Sequence, residues 1–579
     1  MGTHRPTPKP PFTTPLVGEI YPIHTLTHMR ASEWTAQMAL APSYAVAHPA
    51  LAEAILSGIT HGVDIGFDGA RDVTRHSRNL RSALDGGRIE QMVSDIILAD
   101  VAAGKKAGPF DDPPFEHFSY SPIGAVMKGG TWDRIRVIHH LSFPFGGDSI
   151  NANVRDEDLV LGRFDNACDA IRQLGSGCFL IKLDVEAAYK QVPVRVEDRA
   201  LLGLQWNGKF YYELTLPFGL KSSGVRWELY AAALHYFFRH HLGVELVIHY
   251  VDDFLFVVAE FELAKRQMTE ALAMARRLGA PFADDKAEGP LTCLVFLGIE
   301  LDTVTMSARL PDKRLTRLRL LLKGWTGRRT CSILDLQQLT GKLHNACHIV
   351  RAGRPFVRRL IGLTTALCKQ RGVMLRDGVS QQHTLTREAR QDVLWWHRFI
   401  AQWNGRSLLY EREWQTAVTM HLYTDACYNE DTGEGGYGAH WGNRWFQGTW
   451  IPEQLQLAWR VKRHSVPFLE LYTLVLAART WGPHWAGRKI VFHTDCQGMS
   501  FACGKMSSPD SSVQALLRYL ATTGATCGFD FRVVHIAGVL NTVADALSRA
   551  CTYQELRVLL PDALPLPEAL VPLPPLQRM

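Results

Sequence analysis

The sequence predicts a multidomain chain of mixed class, α+β over its first half and α/β near its end. Three observations lead there. Short strand signals alternate with helical ones from about 130 to 303, residues 310–405 read as helix throughout, and from 417 the order is strand, strand, strand, helix, strand, helix, strand, helix. The 579 residues leave room for about three or four domains at roughly 150 residues each. An apolar content of 46% with 21% charged residues excludes a disordered chain, a collagen and a disulfide scaffold.

From the N-terminus, 1–16 is rich in Pro and Thr and is expected to be disordered. A helical N-terminal region follows over 17–106, with Val93, Ile96, Ile97 and Val101 at helical spacing. Residues 107–305 open with a Pro- and Gly-bearing loop and strand, then hold strand signals at 179–185 and 246–258. A helical region spans 306–416 and carries the aromatic stretch Trp395-Trp396-His397-Arg398-Phe399. The strand–helix alternation occupies 417–552, and 553–579 is a Pro-rich C-terminal tail expected to be extended or to serve as a partner peptide.

No run of about 18 apolar residues occurs, so no membrane helix is expected. The N-terminus lacks the apolar stretch of a secretion signal. The eleven cysteines include no C-x-x-C pair, which predicts reduced thiols rather than a zinc or disulfide framework. Together these predict an intracellular protein, of the cytoplasm or the nucleus.

The net charge of +6 hides an asymmetry. Residues 305–405 hold 19 lysines and arginines against five acids, a local +14 that leaves −8 for the rest. A solvated helical surface would account for one such helix. A basic segment of about a hundred residues in a chain acidic elsewhere favours a track for a phosphate backbone.

Two segments set acids into apolar runs. Ile181-Lys182-Leu183-Asp184 ends one, and His249-Tyr250-Val251-Asp252-Asp253-Phe254-Leu255-Phe256 encloses a pair. Such acids are costly to hold near a core unless a cation neutralises them. A β-hairpin whose turn carries Asp-Asp accounts equally well for the second segment alone. The context adds Leu216-Pro217-Phe218-Gly219-Leu220 between them and Phe296-Leu297-Gly298-Ile299-Glu300-Leu301 downstream.

With the motifs LD-x-x-x-AY, LPFGL, Y-x-DD, a lysine and FLG-x-x-L in this order, residues 107–345 resemble the reverse transcriptases. Gly108-Pro109-Phe110, Ser121-Pro122-Ile123-Gly124 and His140-Leu141-Ser142-Phe143-Pro144 look most like the polymerases of DIRS/Ngaro-type retrotransposons. The resemblance implies a right-hand polymerase with fingers, palm and thumb, acting on RNA and DNA template–primers with deoxynucleoside triphosphates. It implies that Asp184, Asp252 and Asp253 hold two Mg²⁺ ions, with Mn²⁺ able to substitute, for nucleotidyl transfer. Tyr189 would be the steric gate against a ribose 2′-hydroxyl. Phe218 and Gly219 would let the backbone approach the template–primer. Lys286 would be the general acid toward pyrophosphate. Arg136 and Lys128 match the finger positions that clamp the triphosphate. The chain departs from the family where Trp132-Asp133-Arg134-Ile135-Arg136 inserts residues, and where Ser223-Gly224 replaces the Ala-Pro that many relatives carry.

A second set of acids lies further on. Asp425 and Asp495 each end a strand signal, Glu470 opens a helix, and His535 precedes Asp545 by ten residues. Acids at element ends can converge on one sheet edge, where they repel without a metal; four unrelated surface acids would also fit the residues one by one. Their order, with the run His535…Asn541…Ala544-Asp545, resembles the ribonuclease H fold in its retroelement form. That resemblance implies that Asp425, Glu470, Asp495 and Asp545 bind two Mg²⁺ for hydrolysis of RNA in an RNA–DNA hybrid, assisted by His535.

Other patterns fail their context. Gly433-Glu434-Gly435-Gly436-Tyr437-Gly438 leads into a strand and not a helix, so a dinucleotide site is not expected. Asp431-Thr432-Gly433 matches an aspartic protease tripeptide but reads as turn chemistry. His139-His140 lacks partners at zinc spacing. The resulting expectation is a reverse transcriptase joined to a ribonuclease H by a basic helical thumb and connection. The alternatives are a catalytically silent, co-opted nucleic-acid-binding protein, or a chain with only one active site.

Overall fold

The computed structural model describes residues 21–128, 131–144, 146–369, 382–403, 406–408, 419–429, 431–459, 465–486 and 488–573. The segment 1–16, expected to be disordered, lies outside them. The chain divides into two compact units, Met1–Ser307 and Ala308–Met579.

In the first unit, helices α1 (Ala31–Ala39), α2 (Pro49–His61) and α3 (Arg88–Ala102) precede strands β1 (Lys106–Phe110), β2 (Ile123–Lys128) and β3 (Thr131–His139). Then follow α4 (Phe164–Leu174), β4 (Phe179–Asp184), β5 (Gly203–Trp206), β6 (Lys209–Glu213), α5 (Ser223–His240), β7 (Leu246–Tyr250), β8 (Asp253–Val258), α6 (Phe261–Leu278) and β9 (Glu288–Leu291). The central sheet has the antiparallel order β7-β8-β4-β9. Phe254 to Val258 of β8 are all buried, so this strand reads as a continuous apolar run without alternation.

The helical region 17–106 is not a separate body. Trp34 of α1 and Ile55 of α2 share one core with Trp227 and Phe237 of α5 and with Phe254 and Phe256 of β8. The Trp34 indole N–H donates to Leu278 O at 3.0 Å. Helices this short do not hold themselves together in water and are stabilised by burying an apolar face on a neighbour. Helix α3 instead packs through Val93 and Ile97 against Ile123, Ile135 and Trp206. Between α2 and α3, residues 62–87 are not helical.

The second unit begins with α7 (Asp312–Thr326), α8 (Ile333–Ala346), α9 (Arg354–Lys369) and α10 (Arg387–Gln402). The helical reading of 310–405 is interrupted by a short strand pair, Thr330–Cys331 with His383–Thr384. Several cations of this basic segment serve the fold. Arg319 donates to Ile400 O at 3.0 Å and Trp403 O at 2.7 Å, capping α10. The Arg359 Nε lies 3.6 Å from the wholly buried Asp392.

Next come β10 (Thr419–Tyr428), β11 (Gly435–Trp441), β12 (Arg444–Thr449), α11 (Pro452–Trp459), α12 (Ser465–Trp481), β13 (Lys489–Thr494), α13 (Gln497–Lys505), α14 (Ser511–Cys527), β14 (Asp530–His535), α15 (Thr542–Ser548) and α16 (Tyr553–Leu559). The five strands order β12-β11-β10-β13-β14, with β10-β13 and β13-β14 parallel and the others antiparallel. The expected extended tail is docked over its described part. It opens with α16, and beyond it Leu564 O accepts from the Trp445 indole at 2.8 Å while Leu564 N donates to Asn443 O at 3.0 Å. Further along, Glu568 N donates to Trp445 O of β12 at 2.8 Å.

Among the described residues no helix is long and apolar enough to cross a membrane. None of the eleven cysteines forms a disulfide.

Candidate active sites

The first acid pair sits in a tight hairpin. Tyr250 of β7 faces Asp253 of β8, and Val251-Asp252 forms the turn between them. Across the sheet, Asp253 faces Asp184 at the end of β4. Val185 N donates to Asp252 O at 2.9 Å, which holds the two acid-bearing segments side by side. The segment after α6 runs along the same edge: Glu186 N donates to Pro281 O and Ala283 N to Asp184 O, both at 2.9 Å. This brings Lys286 in, and its Nζ lies 2.5 Å from Asp184 Oδ1.

Burial first, then the neighbouring Asp184, raises the carboxyl pKa of Asp252. Asp253 is pushed up to about 6 by burial and by Asp252 and Asp184. The hydrogen bond to Asp184 holds the Lys286 ammonium above its usual pKa. Asp252 and Asp253, whose proton affinity is raised by burial and by the acids beside them, form with Asp184 a donor set that a hard divalent cation would relieve.

Tyr189, Phe218 and Arg136 gather beside this hairpin. Tyr189 lies in a single helical turn (Ala188–Gln191) entered through Ala187 at φ +46°. Its ring packs on Phe218 at 5.4 Å between centroids, and the Arg136 guanidinium covers the Phe218 ring at 4.8 Å. Arg136 is the charge that opposes the rise of the Tyr189 pKa caused by burial and Asp252. Lys128 closes β2, and its side chain lies outside the described residues.

Gly219 has a use inside the protein. Its φ is +115°, and a Cβ there would run into the carbonyl of His139. His139 N also donates to Phe218 O at 3.0 Å. A close approach that needs glycine is thus made between the LPFGL turn and β3. Asn151, not singled out from sequence, braces this turn: its Nδ2 donates to Gly219 O at 2.8 Å and its Oδ1 accepts from Lys221 N at 2.9 Å.

In the second unit, Asp425 on β10, Glu470 on α12 and Asp495 just after β13 each place one carboxylate oxygen within 4.8 Å of the others. Parallel pairing of β10 with β13 sets the two aspartates side by side. Glu470 is buried and fixed, accepting from Ala426 N at 3.2 Å and from Thr494 Oγ1 at 3.4 Å. Burial, aided by Asp495 and Asp545, pushes Asp425 up to about 6. Burial and the other two acids raise Glu470 well above the usual carboxylate range.

Asp545 does not join the close set of three; its Oδ1 pairs with Arg549 Nη2 one turn along at 2.9 Å. His535 Nε2 lies 3.1 Å from the backbone oxygen of Asp495. Asn541 ties the start of α15 to β10 by donating to Thr424 O at 3.0 Å.

The glycine-rich run is explained here. A Cβ on Gly438 would meet Leu547, and one on Gly436 would lie 2.6 Å from Ser548 O. The small residues let α15, which carries Asp545, lie directly on β11. Asp431-Thr432-Gly433 forms the β10–β11 turn, with Asn429 Oδ1 accepting from Asp431 N at 2.9 Å.

Residues 141–301 match the family model described as Reverse transcriptase (RNA-dependent DNA polymerase). The chain therefore contains a reverse transcriptase domain, and its fold class is multidomain mixed α/β. No curated protein matches the chain. Among solved structures, a foamy viral protease–reverse transcriptase in complex with double-stranded DNA is similar at 12% identity, covering 81% of this chain and 73% of that one, with a TM-score of 0.42. Another such complex matches at 13% identity over 81% and 86%, also at 0.42. The foamy viral enzyme in complex with an RNA/DNA hybrid matches at 10% identity over 84% and 79%, at 0.38.

Proposed function

We propose that this chain is the RNA- and DNA-directed DNA polymerase of a retroelement, most like the DIRS/Ngaro type, with a second, ribonuclease H site in its C-terminal unit. The observation that carries the reading is the facing of Asp184 and Asp253 across the central sheet, with Asp252 in the adjoining turn, inside the segment that matches the reverse transcriptase family. The polymerase would act on RNA or DNA template–primers and deoxynucleoside triphosphates. The nuclease would clear RNA from the RNA–DNA hybrid that copying leaves. We place the protein inside the cell, in cytoplasm or nucleus.

Asp184, Asp252 and Asp253 would hold Mg²⁺ at one site, and Asp425, Glu470 and Asp495 at the other, with Asp545 completing that set once released from Arg549. Bound there, the ions would lower the pKa of the attacking hydroxyl or water and stabilise the leaving oxygen. The protein's own part is positioning. Tyr189 and Phe218 wall the sugar side, Arg136 offers a cation for phosphate, and Lys286 stands ready to give a proton. His535 is poised beside Asp495 to assist proton movement. The basic helices of 306–416 supply a surface for the phosphate backbone.

Primer extension on poly(rA)–oligo(dT) with Mg²⁺, run beside cleavage of an RNA–DNA hybrid, tests both sites. Asp252→Asn should abolish synthesis and spare cleavage. Asp425→Asn should do the reverse. Synthesis that survives Asp252→Asn would overturn the polymerase assignment, and cleavage that survives Asp425→Asn the nuclease one.

A further inference from the structure

We infer that α5 carries a positioning clamp for the Asp252–Asp253 turn, made by Trp227 and by a hydrogen-bond chain from His235 through His249 to Glu228; the inference rests on the polymerase reading of that site. Val251 opens the turn at φ +58°. A β-branched residue is strained in this left-handed region and persists there only when its surroundings over-determine it.

The surroundings do so. The Trp227 indole N–H donates to Val251 O at 2.8 Å, and Val185 N donates to Asp252 O at 2.9 Å. Both carbonyls of the two-residue turn are thus claimed from outside the hairpin. Trp227 is wholly buried and stacks on Tyr230 at 6.2 Å and 20°. Its N–H cannot follow a turn that shifts.

The next residue of α5 holds the strand that enters the turn. Glu228 Oε1 lies 2.8 Å from His249 Nε2. An ionised carboxylate only accepts, so Nε2 carries the proton. The other ring nitrogen of His249, Nδ1, lies 2.9 Å from His235 Nδ1, so one ring donates to the other across this contact. Burial and the neighbouring His249 push the His235 pKa down to about 4, which keeps that ring neutral. The His249 ring also lies flat against Phe254, at 5.4 Å and 22°, so it grips the residue that follows Asp253 as well as its own strand.

Trp227 and Glu228 bond to the hairpin backbone and to His249, not to the acids they orient. They are positioning residues: without them the acids would remain but point less accurately.

The test uses the full chain, carrying Asp425→Asn and Glu470→Gln to silence the other cation site. Mn²⁺ binding is followed by electron paramagnetic resonance and primer extension in parallel, with circular dichroism confirming the fold. Trp227→Phe removes the indole N–H, Glu228→Ala removes the acceptor, and Glu228→Gln keeps an oxygen there. The first two should weaken Mn²⁺ binding at least about tenfold and lower kcat while nucleotide KM stays within about twofold, with Glu228→Gln close to the parent. If Glu228→Ala fails to fold, Trp227→Phe alone decides. A Trp227→Phe chain that binds Mn²⁺ and extends primers like its parent overturns the clamp. A parent that neither binds Mn²⁺ nor extends primers overturns the polymerase reading and the clamp with it.

Discussion

The ammonium of Lys286 lies 2.5 Å from Asp184 Oδ1, so a half-exposed cation of the protein's own already sits on one of the three acids of the first site. The same lysine is the one expected to donate a proton to pyrophosphate. The two roles give opposite consequences for its removal.

Lys286→Met should bind Mn²⁺ more tightly, because it frees Asp184. It should also synthesise DNA more slowly, by roughly 100-fold or more if the ammonium is the general acid. Mn²⁺ titration and single-turnover nucleotide addition on the same preparation check both. Tighter binding with an unchanged rate would leave Lys286 only its pairing role.

Gly219→Ala should be costly although the side chain gained is one methyl. The residue is at φ +115° with the His139 carbonyl in the path of a Cβ. Strain of this kind costs roughly 1–3 kcal/mol before any clash is counted. Gly208→Ala is the control: its φ is +74°, but nothing lies within 4 Å of an added Cβ. Urea denaturation should show a clearly larger loss at 219 than at 208.

Asp392 and Arg518 are both almost wholly buried and form an ion pair between α10 and α14. The guanidinium also covers the Phe356 ring at 4.8 Å. Arg518→Met leaves a buried carboxylate without its main partner and should lower stability by about 3–5 kcal/mol. Adding Asp392→Leu should recover part of that loss. Denaturation midpoints of the three chains measure it.

Asp425 is pushed up to about 6, and this fixes two signs. A carboxyl that binds its proton more tightly folded than unfolded contributes stability below about pH 4, and loses it as pH rises through about 6. Cation-free protein should therefore lose stability relative to Asp425→Asn across that window, by thermal denaturation at fixed salt. Cation binding needs the deprotonated acid, so Mn²⁺ affinity and hybrid cleavage should fall as pH drops below about 6.

Much of this was legible in the chain. The strand signals at 179–185 and 246–258 set Asp184, Asp252 and Asp253 among strand formers, and the hairpin was one of two readings of the second segment. The strand and helix order after 417 likewise announced the five-stranded sheet. Gly219 was visible as a glycine that must matter, but not the neighbour that requires it, since His139 is eighty residues away in the sequence. The N-terminal helices looked separate because periodicity reports that a face is apolar and not what covers it. The tail looked extended for the same reason: prolines forbid regular structure but do not forbid docking.

The sequence by itself determined the kinds of element, which acids they carry and the concentration of positive charge in 305–405. Local preferences and spacing carry that information, and they survive without the fold. Only the tertiary structure decided that Lys286 lies on Asp184, that Asp545 pairs with Arg549 outside the close set of three acids, and that Trp227 and Glu228 bond to the Asp252 hairpin. These depend on the packing of distant segments to within an ångström, which no spacing along the chain encodes.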